Sequence, residues 1–204
     1  NWISGDFFLQ DEKGNRGTES FYPTHPERYR YIRRAYKENA PIRLRKPVTI
    51  FLVVSLCSMG SCIISKSLLD MAGNFNGEQR KGVDTELYWR LSRYADLVFL
   101  PLPIFVYRRH PSSISSDGQR ITDWEPKIIN KMLEDPQWNQ YRPQLKRRLL
   151  RTLVNLSHTF ETRGDHLKAI KLSYQAIVIK PYSKLTWISF IRAVKNYYIG
   201  VINK

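Results

Sequence analysis

The chain has 204 residues, 42% of them hydrophobic and 13% aromatic, which allows one good-sized domain with an appendage and excludes wholesale disorder. Thirty-three Lys and Arg against 18 Asp and Glu leave a formal charge of +15, favouring anionic partners: nucleotides, nucleic acid or an anionic bilayer surface. Its two cysteines, Cys57 and Cys62, exclude a zinc site of paired C-x-x-C type and read as buried thiols of a reducing compartment. The chain starts with Asn, no signal-peptide pattern precedes the first strand-like segment, and it reads as a processed or partial chain.

From the N-terminus, "WISGDFFLQ" reads as a strand closed by the turn residues Asp11 to Asn15. "PERYRYIRRAYKEN" follows as a helix, with Pro26 in its first turn, Glu27 where the helix dipole favours an acid, and Tyr29, Ile32 and Tyr36 on one face. Arg43 to Pro47 lead into a buried strand expected over Val48 to Val54, with a turn around Gly60. The wider apolar run from Val48 to Ile64 reaches only the short end of the ~17–25 residues that a spanning helix needs, so no transmembrane helix is expected. "SKSLLDMAG" is a short helix closed by Gly73, and "NFNGEQRKGV" is a loop. A helix is expected from Asp84 to Ala95, with Leu87, Leu91 and Tyr94 inward.

"LVFL" and "IFVY" read as two short strands interrupted by Pro101-Leu102-Pro103, since proline has no N–H for the ladder; "RRHPSSISSDG" reads as loop. From Trp124 onward the pattern is helical only. Leu145, Leu149, Leu153, Leu156 and Phe160 form a stripe opposite the basic residues Lys146, Arg147, Arg148 and Arg151. Residues 164–181, with Gly164-Asp165 at a turn, Ala169, Ala176 and a closing Pro181, look like the second helix of a tetratricopeptide unit. One such unit is visible where a solenoid needs about three, so a helical appendage is expected. The division falls into residues 1–120 and 121–204.

The pieces "MGSCIISKSLLDMAGNFNG" and "VDTELYWRLSRYADLVFLPLPIFVYRRHPSSIS", in that order, resemble the acceptor-side half of a family-2 glycosyltransferase of the GT-A fold. The resemblance rests on Gly73-Asn74-Phe75-Asn76-Gly77, on Asp84 opening a helix with Leu87, Arg90 and Leu91, and on Tyr107, Arg108, His110, Pro111 and Ser113. It covers residues 57–116 closely and 1–56 loosely. It implies an α/β, GT-A-like fold with an all-α C-terminal extension. It further implies transfer of a sugar from a nucleotide-sugar donor to a saccharide or lipid-linked acceptor hydroxyl, with inversion. The chain lacks Gln-x-x-Arg-Trp, the mark of processive synthases, so single-sugar transfer is expected.

Inverting transfer needs a carboxylate to take the acceptor's proton and cations to stabilise the departing diphosphate. On local sequence Asp84 reads as a helix cap; by resemblance it is the general base. The resemblance likewise implies acceptor contacts at Glu86, Gly60 and Ser61, diphosphate contacts at Arg108 and His110, and a divalent-metal ligand at His110. The metal is Mg2+ or Mn2+, whose main Asp-x-Asp ligands lie outside this chain, because no two of its aspartates stand two positions apart. Val83 departs from the family, which has Glu there.

The nucleotide-binding half is not recognisable in these residues. The alternative reading is a non-catalytic basic binding or scaffold module, or a degenerate transferase. Nucleic acid is not an expected partner, since no recognition motif accompanies the charge. The basic helical face suits an anionic membrane surface, and the expected location is cytoplasmic, peripheral on the inner face of the membrane.

Overall fold

The structure, a computed structural model, describes residues 1–79, 81–110 and 124–202. The chain divides into two compact units, Asn1–Arg120 and Ile121–Lys204.

The first unit is α/β, built on a four-stranded mixed sheet. Strands β1 (Trp2–Gln10), β2 (Ile42–Leu44), β3 (Cys62–Ile64) and β4 (Leu97–Arg108) lie in the order β2-β4-β1-β3. β1 and β4 are parallel, and β3 and β2 close the two edges in antiparallel fashion. A parallel pair requires a long crossover. Here it carries α1 (Pro26–Glu38), α2 (Val48–Phe51), α3 (Lys66–Ala72) and α4 (Val83–Tyr94).

Alternation along β1 puts Trp2, Ser4 and Asp6 on one face. Trp2 packs on Phe51 and Tyr88, with ring centroids 4.9 and 5.9 Å apart. Asp6 is fully buried and accepts from the amides of Phe7 (2.8 Å) and Tyr22 (3.2 Å) and from the Tyr36 hydroxyl, which ties α1 to the sheet. Tyr36 is thereby pushed well above the usual tyrosine range, first by burial and then by this hydrogen bond. α1 ends at Asn39, whose left-handed backbone (φ 46°) returns its N–H to the carbonyls of Ala35 and Tyr36.

The opposite sheet face is open. Ile63, Leu102, Ile104 and Val106 are exposed there, Ile63 to 68%.

Three expectations change. Val48–Val54 is not a strand: Val48, Phe51 and Leu52 are buried at helical spacing, and the Trp89 indole donates to the Phe51 carbonyl (3.0 Å). An unbroken apolar run carries no period, so length and neighbours decide between strand and helix. The two short strands around Pro101 and Pro103 are one 12-residue strand. β2 pairs β4 only as far as Phe99, and opposite Gly5, Asp6 and Phe7 the β4 partners step from Leu100 to Pro103 to Phe105. The prolines thus sit where the ladder is already interrupted. Tyr94, expected inward, is 40% exposed at the end of α4.

The second unit is entirely helical: α5 (Trp124–Glu134), a 3-10 turn over Pro136–Tyr141, α6 (Arg142–Thr162), α7 (His166–Ile179) and α8 (Lys184–Ile202). The α6 stripe Leu145, Leu149, Leu153, Leu156 and Phe160 is buried. Between α6 and α7 the chain reverses at Gly164 (φ +80°), and the Asp165 carboxylate accepts from the Lys168 amide (3.2 Å) as the α7 cap. The Ser157 hydroxyl donates to the Ala169 carbonyl (2.9 Å), and Leu156, Phe160, Ala169 and Ala193 form one core. Buried Glu125 holds Arg148 and Thr152; buried Glu161 holds Arg192 and Asn196. Among the described residues no helix is long and apolar enough to cross a membrane.

Candidate functional site

Asp84 sits in the first turn of α4, but it is not the cap. Gly82 is, in the left-handed conformation (φ 67°), and Asp84 is the second helical residue after Val83. One carboxylate oxygen, Oδ1, accepts from the Thr85 amide (2.7 Å), one of the donors left over at a helix start. The other, Oδ2, has no hydrogen-bond partner among the described residues, and the side chain is half-buried.

Asp84 lies close enough to Cys62 and Tyr88 for its charge to act on both. The Tyr88 hydroxyl donates to Met59 Sδ (3.1 Å) and lies 3.5 Å from Cys62 Sγ. Burial, and then neighbouring groups that include the Asp84 charge, push both the Cys62 thiol and the Tyr88 hydroxyl up. Both therefore stay protonated beside the carboxylate at neutral pH. Cys57, fully inside, is raised for the same leading reason.

Glu86 is buried and spends both oxygens on Arg90, at 2.7 and 2.8 Å. The Arg90 guanidinium then donates to the carbonyls of Ala72, Gly73 (2.8 Å) and Asn74 (2.8 Å). All five of its donors are used. The pair fastens the loop leaving α3 to the start of α4, and so fixes where Asp84 stands. Gly73, at φ +82°, ends α3 in a conformation that suits glycine and turns those carbonyls towards Arg90.

Gly60 and Ser61 lie in a 3-10 turn, Met59–Ser61, that leads into β3. Gly60 abuts the Phe105 ring; a Cβ built there would stand 2.6 Å from a ring carbon, so a side chain would force the turn or the Phe105 ring to shift. Ser61 is buried, with its hydroxyl shared between the Ser58 amide and carbonyl (3.2 Å each) and 3.5 Å from the Ser4 hydroxyl.

Arg108 is exposed, and its Nε donates to the Gln10 side chain (3.2 Å). Register pairs Arg108 with Gln10 and Cys62 with Ser4, six residues back along β1, or about 20 Å of strand. No hydrogen bond or ion pair joins Arg108 to Asp84 among the described residues. His110 is exposed just beyond β4; Pro111 and Ser113 of the same motif lie outside the described residues. No group of three His, Cys, Asp or Glu able to hold a metal ion comes together among the described residues.

An open depression of about 420 Å³ lies elsewhere, against Trp2, Arg43, Tyr94 and Asp96. It is at the far end of α4 from Asp84.

Tyr88, one turn on from Asp84, reaches the Met59–Ser61 turn at Met59 Sδ, and Glu86 acts from inside through Arg90; no hydrogen bond ties Arg108 to these residues among those described. The five-donor use of Arg90 was missed by the sequence reading. Its only signal was an acid and an arginine four residues apart on a helix. No family model, no curated protein and no solved structure matches the chain.

Proposed function

We propose that the chain is the acceptor-side part of a GT-A-like, inverting, non-processive glycosyltransferase, with Asp84 as its general base. Asp84 takes the proton of the acceptor hydroxyl as that oxygen bonds to the anomeric carbon of a nucleotide sugar; the bond to the diphosphate breaks, and the nucleoside diphosphate leaves with the electron pair. The observation that carries this reading is a half-buried carboxylate held at the start of α4, whose Oδ2 has no hydrogen-bond partner among the described residues. A residue serving only as a cap would occupy the position that Gly82 holds.

Glu86 and Ser61 enter as positioning residues, through Arg90 and Ser58, and Gly60 lets the turn lie on Phe105. Mg2+ or Mn2+ would stabilise the leaving diphosphate; His110 is one ligand from this chain and the others come from beyond it. Arg108 is a cation on the donor's approach. The open sheet face, with Leu102, Ile104 and Val106 exposed, supports a further layer of protein holding the donor. A saccharide or lipid-linked hydroxyl compound is the acceptor class.

Val83, standing where the family has Glu, favours the second reading, a degenerate transferase retained as a basic scaffold. One assay separates the two. The protein as encoded is incubated with a panel of nucleotide sugars, Mg2+ or Mn2+, and saccharide or lipid-linked acceptors, and released nucleoside diphosphate is measured. Acceptor-dependent release that disappears in Asp84→Asn supports the transferase; no release with any donor supports the scaffold.

A further inference from the structure

The leucine stripe opposite the basic face of α6 is spent inside the second unit. Its leucines are buried, and Arg148 is drawn onto Glu125. The large apolar side chains left outside are on α7 and α8. On α7, Leu167, Tyr174 and Val178 recur at helical spacing and all are exposed, Val178 to 66%. On α8, Leu185, Trp187, Ile188, Ile191, Tyr198 and Ile199 are exposed, Ile191 to 61%.

The two rows meet at Phe190, its ring 6.4 Å from Tyr174 of α7 and 6.3 Å from Trp187 of α8. Nine large apolar side chains are thus exposed on two neighbouring helices, the kind of patch that marks an interaction site.

Charge says what covers it. Residues 124–202 carry fourteen Lys and Arg against five Asp and Glu. Four of the five acids are already engaged: Glu125 with Arg148, Glu161 with Arg192, and Asp135 and Asp165 at helix caps. Lys171 lies between Leu167 and Tyr174, and Lys195 between Ile191 and Tyr198; with Lys184 they are exposed and have no acidic partner among the described residues. Lysine is depleted where proteins bury surface against each other. At a bilayer it is suited, because its stem lies along the acyl boundary while the ammonium reaches a phosphate. Tyr174 and Tyr198 have the apolar body and polar tip that fit headgroup depth, and Trp187, whose indole N–H donates to the Pro181 carbonyl (2.7 Å), adds its ring to the apolar surface.

We propose that the α7–α8 face of the second unit docks on an anionic lipid bilayer, with Ile188 and Ile191 at its centre and Lys171, Lys184 and Lys195 meeting lipid phosphates.

The test is sedimentation of the whole chain with phosphatidylcholine vesicles, alone or mixed with phosphatidylglycerol. Binding to the anionic vesicles only, weakening several-fold as salt rises, is expected. Ile188→Glu with Ile191→Glu should lower partitioning by at least about tenfold, since apolar burial and charge attraction add. Lys146→Gln with Arg147→Gln on α6 should lower it by less than about threefold. Helicity by circular dichroism checks folding, and Ile188→Ser with Ile191→Ser repeats the test with a milder change. The proposal is overturned by no vesicle binding, by equal binding to neutral and anionic vesicles, by unaltered binding of both α8 variants, or by a larger loss from the α6 variant. Light scattering that shows a dimer dissociated by Ile191→Glu, without vesicle binding, would instead assign the face to a second copy.

Discussion

Both units leave an apolar face open, and the two faces differ in what interrupts them. On the sheet, Leu102, Ile104 and Val106 follow one another along β4 with no charge between, and Ile63 adds to the same face from β3. On α7 and α8 the aliphatics alternate with Lys171, Lys184 and Lys195. An uninterrupted aliphatic row suits another protein layer, because a buried unpaired ammonium is costly. A row threaded with lysines suits a surface that supplies phosphates. Apolar area alone would have treated the faces alike; the spacing of charge separates them.

The comparison can be broken from either side. The largest expected effect is Arg90→Ala in the first unit. It strands Glu86 with little exposure and releases three loop carbonyls, at about 3–5 kcal/mol of unfolding free energy in a denaturant titration. A loss under about 1 kcal/mol would mean that the α3–α4 loop is held some other way.

Next comes a pair of substitutions in the second unit. Leu149→Ala, on the buried stripe, should cost about 2–5 kcal/mol, while Ile188→Ala, on the exposed one, should stay within about 0.5 kcal/mol. Equal costs would show that the α8 stripe is covered in the free chain and is not an outer face.

The smallest effect is electrostatic. Asp96 accepts from the Lys46 amide (2.9 Å) and from Arg43 (2.8 Å), which holds its carboxyl below the ordinary value of 3.8. A lowered folded pKa means that its stabilising contribution is present above about pH 4 and is lost as pH falls through the lowered value. Asp96→Asn should cost about 1 kcal/mol at neutral pH and nothing once the wild-type carboxyl is protonated. A cost that persists unchanged in acid would assign the effect to packing.

The sequence was legible wherever a period ran long enough. β1, α1, α4 and the α6 stripe were read from alternation or helical spacing, and the closure of α3 from Gly73. It was illegible where the deciding partner is remote. Val48 to Phe51 became helix through contacts with α4, the prolines of β4 found room in an interruption shared with β1, and Ser61 turned inward to Ser58 and Ser4. Asp84 could be placed near a helix start, but its status as the second helical residue and not the cap depends on Gly82 taking φ 67°. The leucine stripe of α6 was legible as an apolar face, but not what covers it: Leu156 and Phe160 pack against Ala169 of α7 and Ala193 of α8, which lie far along the chain.

The central claim is that Asp84 is a base and not a piece of helix architecture. Asn preserves its shape and can still accept from the Thr85 amide through Oδ1, so the substitution removes only the charge and the proton acceptor. The decisive measurement is the single-turnover rate of sugar transfer by the encoded protein and its Asp84→Asn variant, with saturating donor and matched melting temperatures. The account predicts a fall of about 10²–10⁴ in rate with donor affinity unchanged. A variant that transfers within about threefold of the wild-type rate would contradict it.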